Sequence, residues 1–252
     1  MAISDTPKAF DESVLELLVV NPMKKEKVVL PRMFSEERIR DLYSRVTWFY
    51  DVWGWMTESQ AAKKVIELAQ IRDGDRILEV AVGTGGVFAE IVKRNKNGMN
   101  EGIDISPSML SRAERRLKRY DLDEGGFHLQ IGNAYHLPFE ANTFDLIVNN
   151  FMLDLLPQED FVIILSEFNR VLKPSGRLVI STMAFGRKWY NRIWHWIAKQ
   201  FPSLFTDCRP VSMYDYLVEA GFGNVRVEYL SQNTFASEIL RGEKGTSSAK
   251  TA

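Results

Sequence analysis

From Asp75 onward, short apolar runs alternate with stretches whose apolar residues recur every three or four positions. The first kind predicts strands near Arg76–Ala81, Met99–Asp104, Phe127–Ile131, Phe144–Asn149 and Arg177–Thr182. The second kind predicts helices near Gly86–Arg94, Pro107–Tyr120 and Glu159–Leu172. Strand and helix taken in turn give a parallel sheet covered on both faces, an α/β fold. Ser106 followed by Pro107 predicts a helix start, with the hydroxyl capping free amides and proline in the first helical position. Asn224–Leu230 and Thr234–Leu240 alternate like two strands joined at Ser231-Gln232-Asn233.

The pattern also sets the expected boundaries. Residues 1–40, with a charged run from Lys24 to Lys27, read as a solvated extension, and 41–241 read as one domain. Residues 242–252 are small, polar and charged, and are expected to be disordered. Arg187 to Phe201 reads as an inserted amphipathic helix. At about 100° per residue, Trp189, Tyr190, Ile193, Trp194, Trp196, Ile197 and Phe201 share one sector, and Lys188, Arg192, His195 and Lys199 lie opposite. Such a helix packs on the domain as a lid, encloses a long apolar substrate, or lies on an anionic bilayer.

The chemistry concentrates where the first strand runs into Ala81-Val82-Gly83-Thr84-Gly85-Gly86, with Asp104 ending the second strand about 20 residues on, a spacing that holds a nucleoside by its ribose. A dinucleotide site would need a third glycine where Phe88 stands. Glu79, inside the strand before the turn, would repel a pyrophosphate but suits a cofactor with an amino group and a sulfonium. S-adenosylmethionine has both. Gly83 and Gly85 are expected to let the backbone approach that cofactor closely.

Three further motifs follow in order: Gly132-Asn133-Ala134-Tyr135-His136-Leu137-Pro138-Phe139, then Phe144-Asp145-Leu146-Ile147-Val148-Asn149-Asn150, then Arg170-Val171-Leu172-Lys173-Pro174-Ser175-Gly176-Arg177-Leu178. With the glycine turn, they resemble the class I S-adenosylmethionine-dependent methyltransferases over roughly Tyr43 to Leu240. The resemblance implies a Rossmann-like, doubly wound seven-stranded sheet, mostly parallel and closed by a C-terminal antiparallel hairpin. It implies S-adenosylmethionine as cofactor and S-adenosylhomocysteine as product. The cofactor-binding set it points to is Tyr50, Glu79, Ala81, Gly83, Thr84, Gly85, Asp104, Ile105, Asn133, Ala134, Asn149 and Asn150. Within it, Asp104 would accept the ribose hydroxyls and Ile105 would cover the adenine. Asn133, where the family usually has an acid, would meet the adenine edge through its side chain or backbone, and one of Asn149 and Asn150 would face the methionine portion. Tyr43 to Asp51 resembles the segment that folds over the cofactor in methyltransferases related to ubiquinone and menaquinone biosynthesis, with Thr47 where those have alanine.

The acceptor is less constrained. Asp154 is the one ionisable group in the apolar run Asn150 to Pro157, so it is either a general base with a raised pKa or a cap for the helix that follows. His128 and His136 are read as structural and loop residues, not ligands. The apolar run and the 187–201 helix together point to a small lipophilic acceptor, such as a quinone-type ring carbon. The alternatives are a phospholipid N-methyltransferase, another small-molecule O- or N-methyltransferase, and a non-catalytic S-adenosylmethionine-binding regulator.

Composition narrows the partners. The 252 residues, 45% hydrophobic, are enough for one well-buried α/β domain. A net charge of -1 provides no global field for nucleic acid. One cysteine, Cys208, excludes an intramolecular disulfide and a multi-cysteine metal site, so no metal is expected. The first ten residues lack a signal-peptide pattern, and no run approaches the ~18 apolar residues of a membrane span. A cytoplasmic enzyme is the expectation.

Overall fold

The computed structural model describes residues 59–120, 122, 126–186 and 209–245, all within the compact unit Pro31–Ala252. The sequence-predicted sites at Tyr50 and the Tyr43–Asp51 segment, the helix at 187–201 and Cys208 lie outside the described residues. Seven strands form one sheet: β1 (Arg76–Val80), β2 (Met99–Asp104), β3 (Phe127–Ile131), β4 (Phe144–Asn150), β5 (Leu172–Met183), β6 (Phe222–Gln232) and β7 (Phe235–Lys244). Their order across the sheet is β3-β2-β1-β4-β5-β7-β6. β1 to β5 pair in parallel, and β7 lies antiparallel to both β5 and β6. The strand order reverses between β1 and β4, so a crevice opens at their carboxyl ends, where open α/β sheets bind ligands.

Alternation along each strand decides which helix covers which face. Leu78, Val80, Ile147, Leu178, Ile180 and Leu240 face one core, completed by helices α4 (Phe161–Val171) and α5 (Tyr214–Glu219) through Ile164, Leu165, Phe168 and Leu217. Ile77, Leu146, Val148, Val179 and Ile239 face the other, against α1 (residues 59–69) and α2 (Gly86–Arg94) through Ala61, Val65, Val87 and Ile91. Beside it, Phe88, Ala89 and Val92 of α2 meet Ala113 and Leu117 of α3 (Pro107–Arg119). Phe88 is wholly buried with its ring edge-on to Phe127. The room for it comes from Gly102 of β2, where a Cβ would lie 3.1 Å from the ring. Here a glycine on the neighbouring strand replaces the helix glycine of a dinucleotide fold.

The elements differ from the periodicity in several places, among them two helices it does not predict, α1 and α5. β5 starts at Leu172, not Arg177, and α4 stops at Val171. Pro174 disfavours helical geometry at Lys173, and Leu172 pairs with Phe144 instead. The hairpin turn sits at Asn233-Thr234, both left-handed (φ 45° and 71°), between the paired residues Gln232 and Phe235, the geometry of a two-residue turn matched to strand twist. β7 also runs through Gly242, Glu243 and Lys244, in the segment expected to be disordered. Composition misleads there because these residues all pair, Glu243 on both sides with Arg177 and Gly223, Gly242 with Leu178, and Lys244 with Phe222. Among the described residues no helix is long and apolar enough to cross a membrane.

Candidate cofactor site

β1 ends at Val80, and the chain turns through three left-handed residues, Ala81 (φ 61°), Gly83 (φ 56°) and Gly85 (φ 77°), before α2 begins. The turn is tied down by backbone bonds, Val82 N–H to the Ile103 carbonyl and Gly85 N–H to the Val82 carbonyl, each 3.0 Å. Its two glycines do different work. A Cβ on Gly83 would meet nothing within 4 Å, so this residue fronts open space at the sheet's carboxyl edge. A Cβ on Gly85 would lie 2.9 Å from both Cα and Cβ of Ala113, so Gly85 lets α2 and α3 pack. The missing side chain of Gly85 therefore makes room for α3, where the sequence reading expects it to make room for the cofactor's approach to the backbone.

Asp104, at the end of β2, is 8% exposed and joins turn to strand. Its Oδ2 accepts the Gly83 amide at 2.8 Å, and its Oδ1 accepts the Ser106 amide at 2.9 Å. Burial pushes its pKa up, and the Ser106, Gly83 and Ile105 amides pull against that. Asp104 thus also closes the turn before α3. Ser106, expected to cap that helix with its hydroxyl, makes no side-chain cap; the hydroxyl pairs with Ser108 at 2.9 Å instead. The two carboxylate oxygens together offer more lone pairs than these amides use, which leaves acceptor capacity for hydroxyl donors.

Two buried acceptors end the neighbouring strands. Glu79 on β1 is 1% exposed, and its Oε2 has no hydrogen-bond partner. Burial, and then the Asp104 carboxylate, hold its pKa well above the usual carboxylate range. Asn149 on β4 is fully buried; its Nδ2 donates to the Val80 carbonyl at 2.8 Å and to Met152 Sδ at 3.5 Å, while Oδ1 is left without a partner. Buried acceptors without donors are uncommon. Both fit a ligand that donates several N–H groups, as an amino-acid ammonium does.

On the β2 and β3 side, Ile105 is half exposed and Ala134 buried, beside the loop that begins at Asn133. Asn133 Oδ1 accepts the Tyr135 amide at 3.0 Å, so the side chain also shapes its own loop. α4 holds that loop from outside: Glu167 accepts the Leu137 amide at 2.8 Å, and Arg170 donates to the Phe139 carbonyl at 2.9 Å. On the β5 side, Asn150 Oδ1 accepts the Ser181 hydroxyl. Thr84 lies within the turn, partly buried.

Asp154 sits in a single 3-10 turn, Leu153–Leu155, and is fully buried. Its Oδ2 accepts the Met183 amide at 3.0 Å, and its backbone carbonyl accepts the Arg209 amide at 3.3 Å. It therefore braces the end of β5 from the loop after β4. His128 pairs with Glu101 at 2.9 Å on the exposed side of β3. Strand-end hydroxyls that periodicity did not single out, Thr182 on β5 and Ser237 on β7, are also buried, and their oxygens have no hydrogen-bond partner. A polar residue ending a buried strand is the signal that would have found them. Among the described residues, no group of three His, Cys, Asp or Glu side chains is placed to hold a metal ion.

This geometry agrees with what the chain resembles. Residues 77–176 match a family model described as a methyltransferase domain. A demethylmenaquinone methyltransferase of Bacillus cereus is 30% identical over 198 residues, covering 74% of this chain and 80% of the relative. In fold, a SAM-dependent methyltransferase of Methanosarcina mazei aligns with a TM-score of 0.57 at 22% identity, over 72% of this chain and 97% of that one. Phosphoethanolamine N-methyltransferase 2 of Haemonchus contortus, solved with S-adenosyl-L-methionine, aligns with a TM-score of 0.65 at 15% identity, over 85% and 61%. The sheet order, the glycine turn closed by Asp104 and these likenesses place the chain in the class I S-adenosylmethionine-dependent methyltransferases, as an enzyme that uses that cofactor.

Proposed function

We propose that the enzyme methylates a small lipophilic acceptor, with a quinone-type ring carbon as the first candidate. The observation that carries this reading is the apolar ground beside the carboxyl ends of β4 and β5 and the amino end of β7. The Phe151 and Phe235 rings meet there at 6.0 Å, Phe185 is 46% exposed, and Met152 and Leu156 are partly buried. The demethylmenaquinone methyltransferases among the relatives support the same acceptor class.

When bound, S-adenosylmethionine supplies an electrophilic methyl group on a sulfonium. The chain's part is to hold, orient and exclude water, which is where most of the rate for such a displacement arises. Asp104 accepts the ribose hydroxyls while keeping the turn closed. Gly83 offers its face to the cofactor without a side chain, with Ala81 and Thr84 on either side of it. Glu79 and the Asn149 amide oxygen accept from the ammonium. Ile105, Ala134 and Asn133 enclose the adenine, and Asn150 borders the methionine portion. Asp154 keeps the acceptor loop fixed to β5 through the Met183 amide. Tyr50 and residues 187–201, which the sequence reading expects to meet cofactor and acceptor, lie outside the described residues.

The test is mass spectrometry after incubating the protein with S-adenosylmethionine and either a reduced prenylated naphthoquinone lacking a ring methyl or phosphatidylethanolamine vesicles. Methyl gain on the ring carbon supports the proposal. Transfer to the amine alone would redirect it to phospholipid N-methylation, and tight cofactor binding without transfer to any acceptor would favour a regulator. Asp104→Ala should weaken cofactor binding by about 1.5–3 kcal/mol, the range for hydrogen bonds to a charged group.

A further inference from the structure

The Glu79 carboxyl has no counter-charge among the described residues. Alternation puts it on the face shared with Ile77, where its strand neighbours are Val148 on β4 and Gly102 on β2. The helical layer over that face contributes Ala61 and Val65 from α1, and Val87 and Ile91 from α2, none of which titrates. The charged group that acts on Glu79 is the Asp104 carboxylate, which has the same sign as an ionised Glu79. Asp104 is the better stabilised of the two as an anion, because two backbone amides donate to it. Glu79 Oε2 has no donor at all. An ionised carboxylate so placed would be buried without a partner beside a like charge, whereas a neutral acid tolerates the position.

We propose that Glu79 carries a proton while the cofactor site is empty and releases it when the cofactor's ammonium arrives, so that cofactor binding is coupled to the release of one proton. This rests on the cofactor placement proposed above and deepens it. The O–H bond of Glu79 breaks, the proton leaves to solvent, and the resulting carboxylate accepts N–H from the ammonium. One positive charge enters the pocket and one leaves, so the site keeps its charge through loading. The ribose and adenine alone cannot draw the proton off, so an adenosine lacking the amino-acid portion binds without this exchange. Below the titration of the empty-site Glu79, affinity for S-adenosylmethionine rises with pH by up to about tenfold per unit and then levels off.

Titration calorimetry on the full-length protein, in two buffers of different ionisation enthalpy between about pH 5 and pH 7, reads the proton count directly while the cofactor's own amino group stays charged. The expected result is release approaching one proton per S-adenosylmethionine at the acid end, falling as pH rises, and none for methylthioadenosine. Glu79→Gln should bind S-adenosylmethionine more weakly at neutral pH, with a flat profile and no proton release. A wild-type protein that binds S-adenosylmethionine with no proton exchange would overturn the proposal while leaving the cofactor placement intact. So would an unchanged slope in Glu79→Gln, which would pass the proton to Asp104. Absence of binding by either ligand would overturn the placement and the proposal together. If Glu79→Gln does not fold, the comparison of the two ligands on the wild-type protein still decides.

Discussion

The two glycines of the turn look alike in sequence, and substituting each by alanine should separate their roles. Gly85→Ala places a methyl 2.9 Å from the Ala113 backbone at a residue with φ 77°. The left-handed conformation costs a side chain roughly 1–2 kcal/mol, and forcing a methyl into a packed helix contact costs roughly 1–3 kcal/mol more. The variant should therefore lose about 2–5 kcal/mol of stability in urea denaturation, with or without cofactor. Gly83→Ala pays the same backbone term at φ 56° but meets no atom within 4 Å. Its stability should fall by only about 1–2 kcal/mol, while its methyl stands in the space assigned to the cofactor, so calorimetry should show S-adenosylmethionine affinity falling more than tenfold. Ala113→Gly provides the internal control. It removes one of the two close contacts and should recover part of the Gly85→Ala loss, after allowance for about 1 kcal/mol from glycine in a helix. A Gly85→Ala variant of normal stability that had lost cofactor affinity would refute this assignment and put Gly85 against the cofactor.

Asp154→Asn should lower stability in urea denaturation by only about 1 kcal/mol, because the amide oxygen can still accept the Met183 amide but without the charge that strengthens the bond. Turnover lost by 10²-fold or so at unchanged stability would instead make Asp154 the base. Ala81→Gly should raise stability by up to about 1 kcal/mol in thermal melts, since φ 61° is strained for alanine and not for glycine. Glu79→Gln should flatten the pH dependence of stability in the cofactor-free protein. Burial, then Asp104, raises the folded-state pKa of Glu79 above its unfolded value. Its contribution is therefore fully present below the unfolded value near 4.3 and is lost, by at most about 1.4 kcal/mol per pH unit, as pH rises through the folded value. Urea midpoints at about pH 5 and pH 8 check this, and an equal pH slope in variant and parent would sink it.

What could be read from the chain divides by how far each residue's partner lies along it. β2, β3 and α2 begin and end where periodicity puts them, because pleat, helical turn and the punctuating glycines are local. The turn from Ala81 to Gly85 and the acid ending β2 are legible for the same reason, each being a short motif with a fixed offset. The roles of single residues within those motifs are not. Gly85 answers to Ala113 on another helix, Asp154 to Met183 at the end of another strand, and Phe88 to the glycine of β2 beneath its ring. Glu79 is the sharpest case. Its place just before the turn marks it for a cationic cofactor but not its protonation state, and the same letters could describe a salt-bridged core acid. Its chemistry comes from what the other strands and helices bring to it: apolar side chains, a second carboxylate and no cation among the described residues. A carboxyl in that setting is neutral until a positive ligand arrives, so a sequence motif that marks where the cofactor binds does not by itself reveal that binding exchanges a proton.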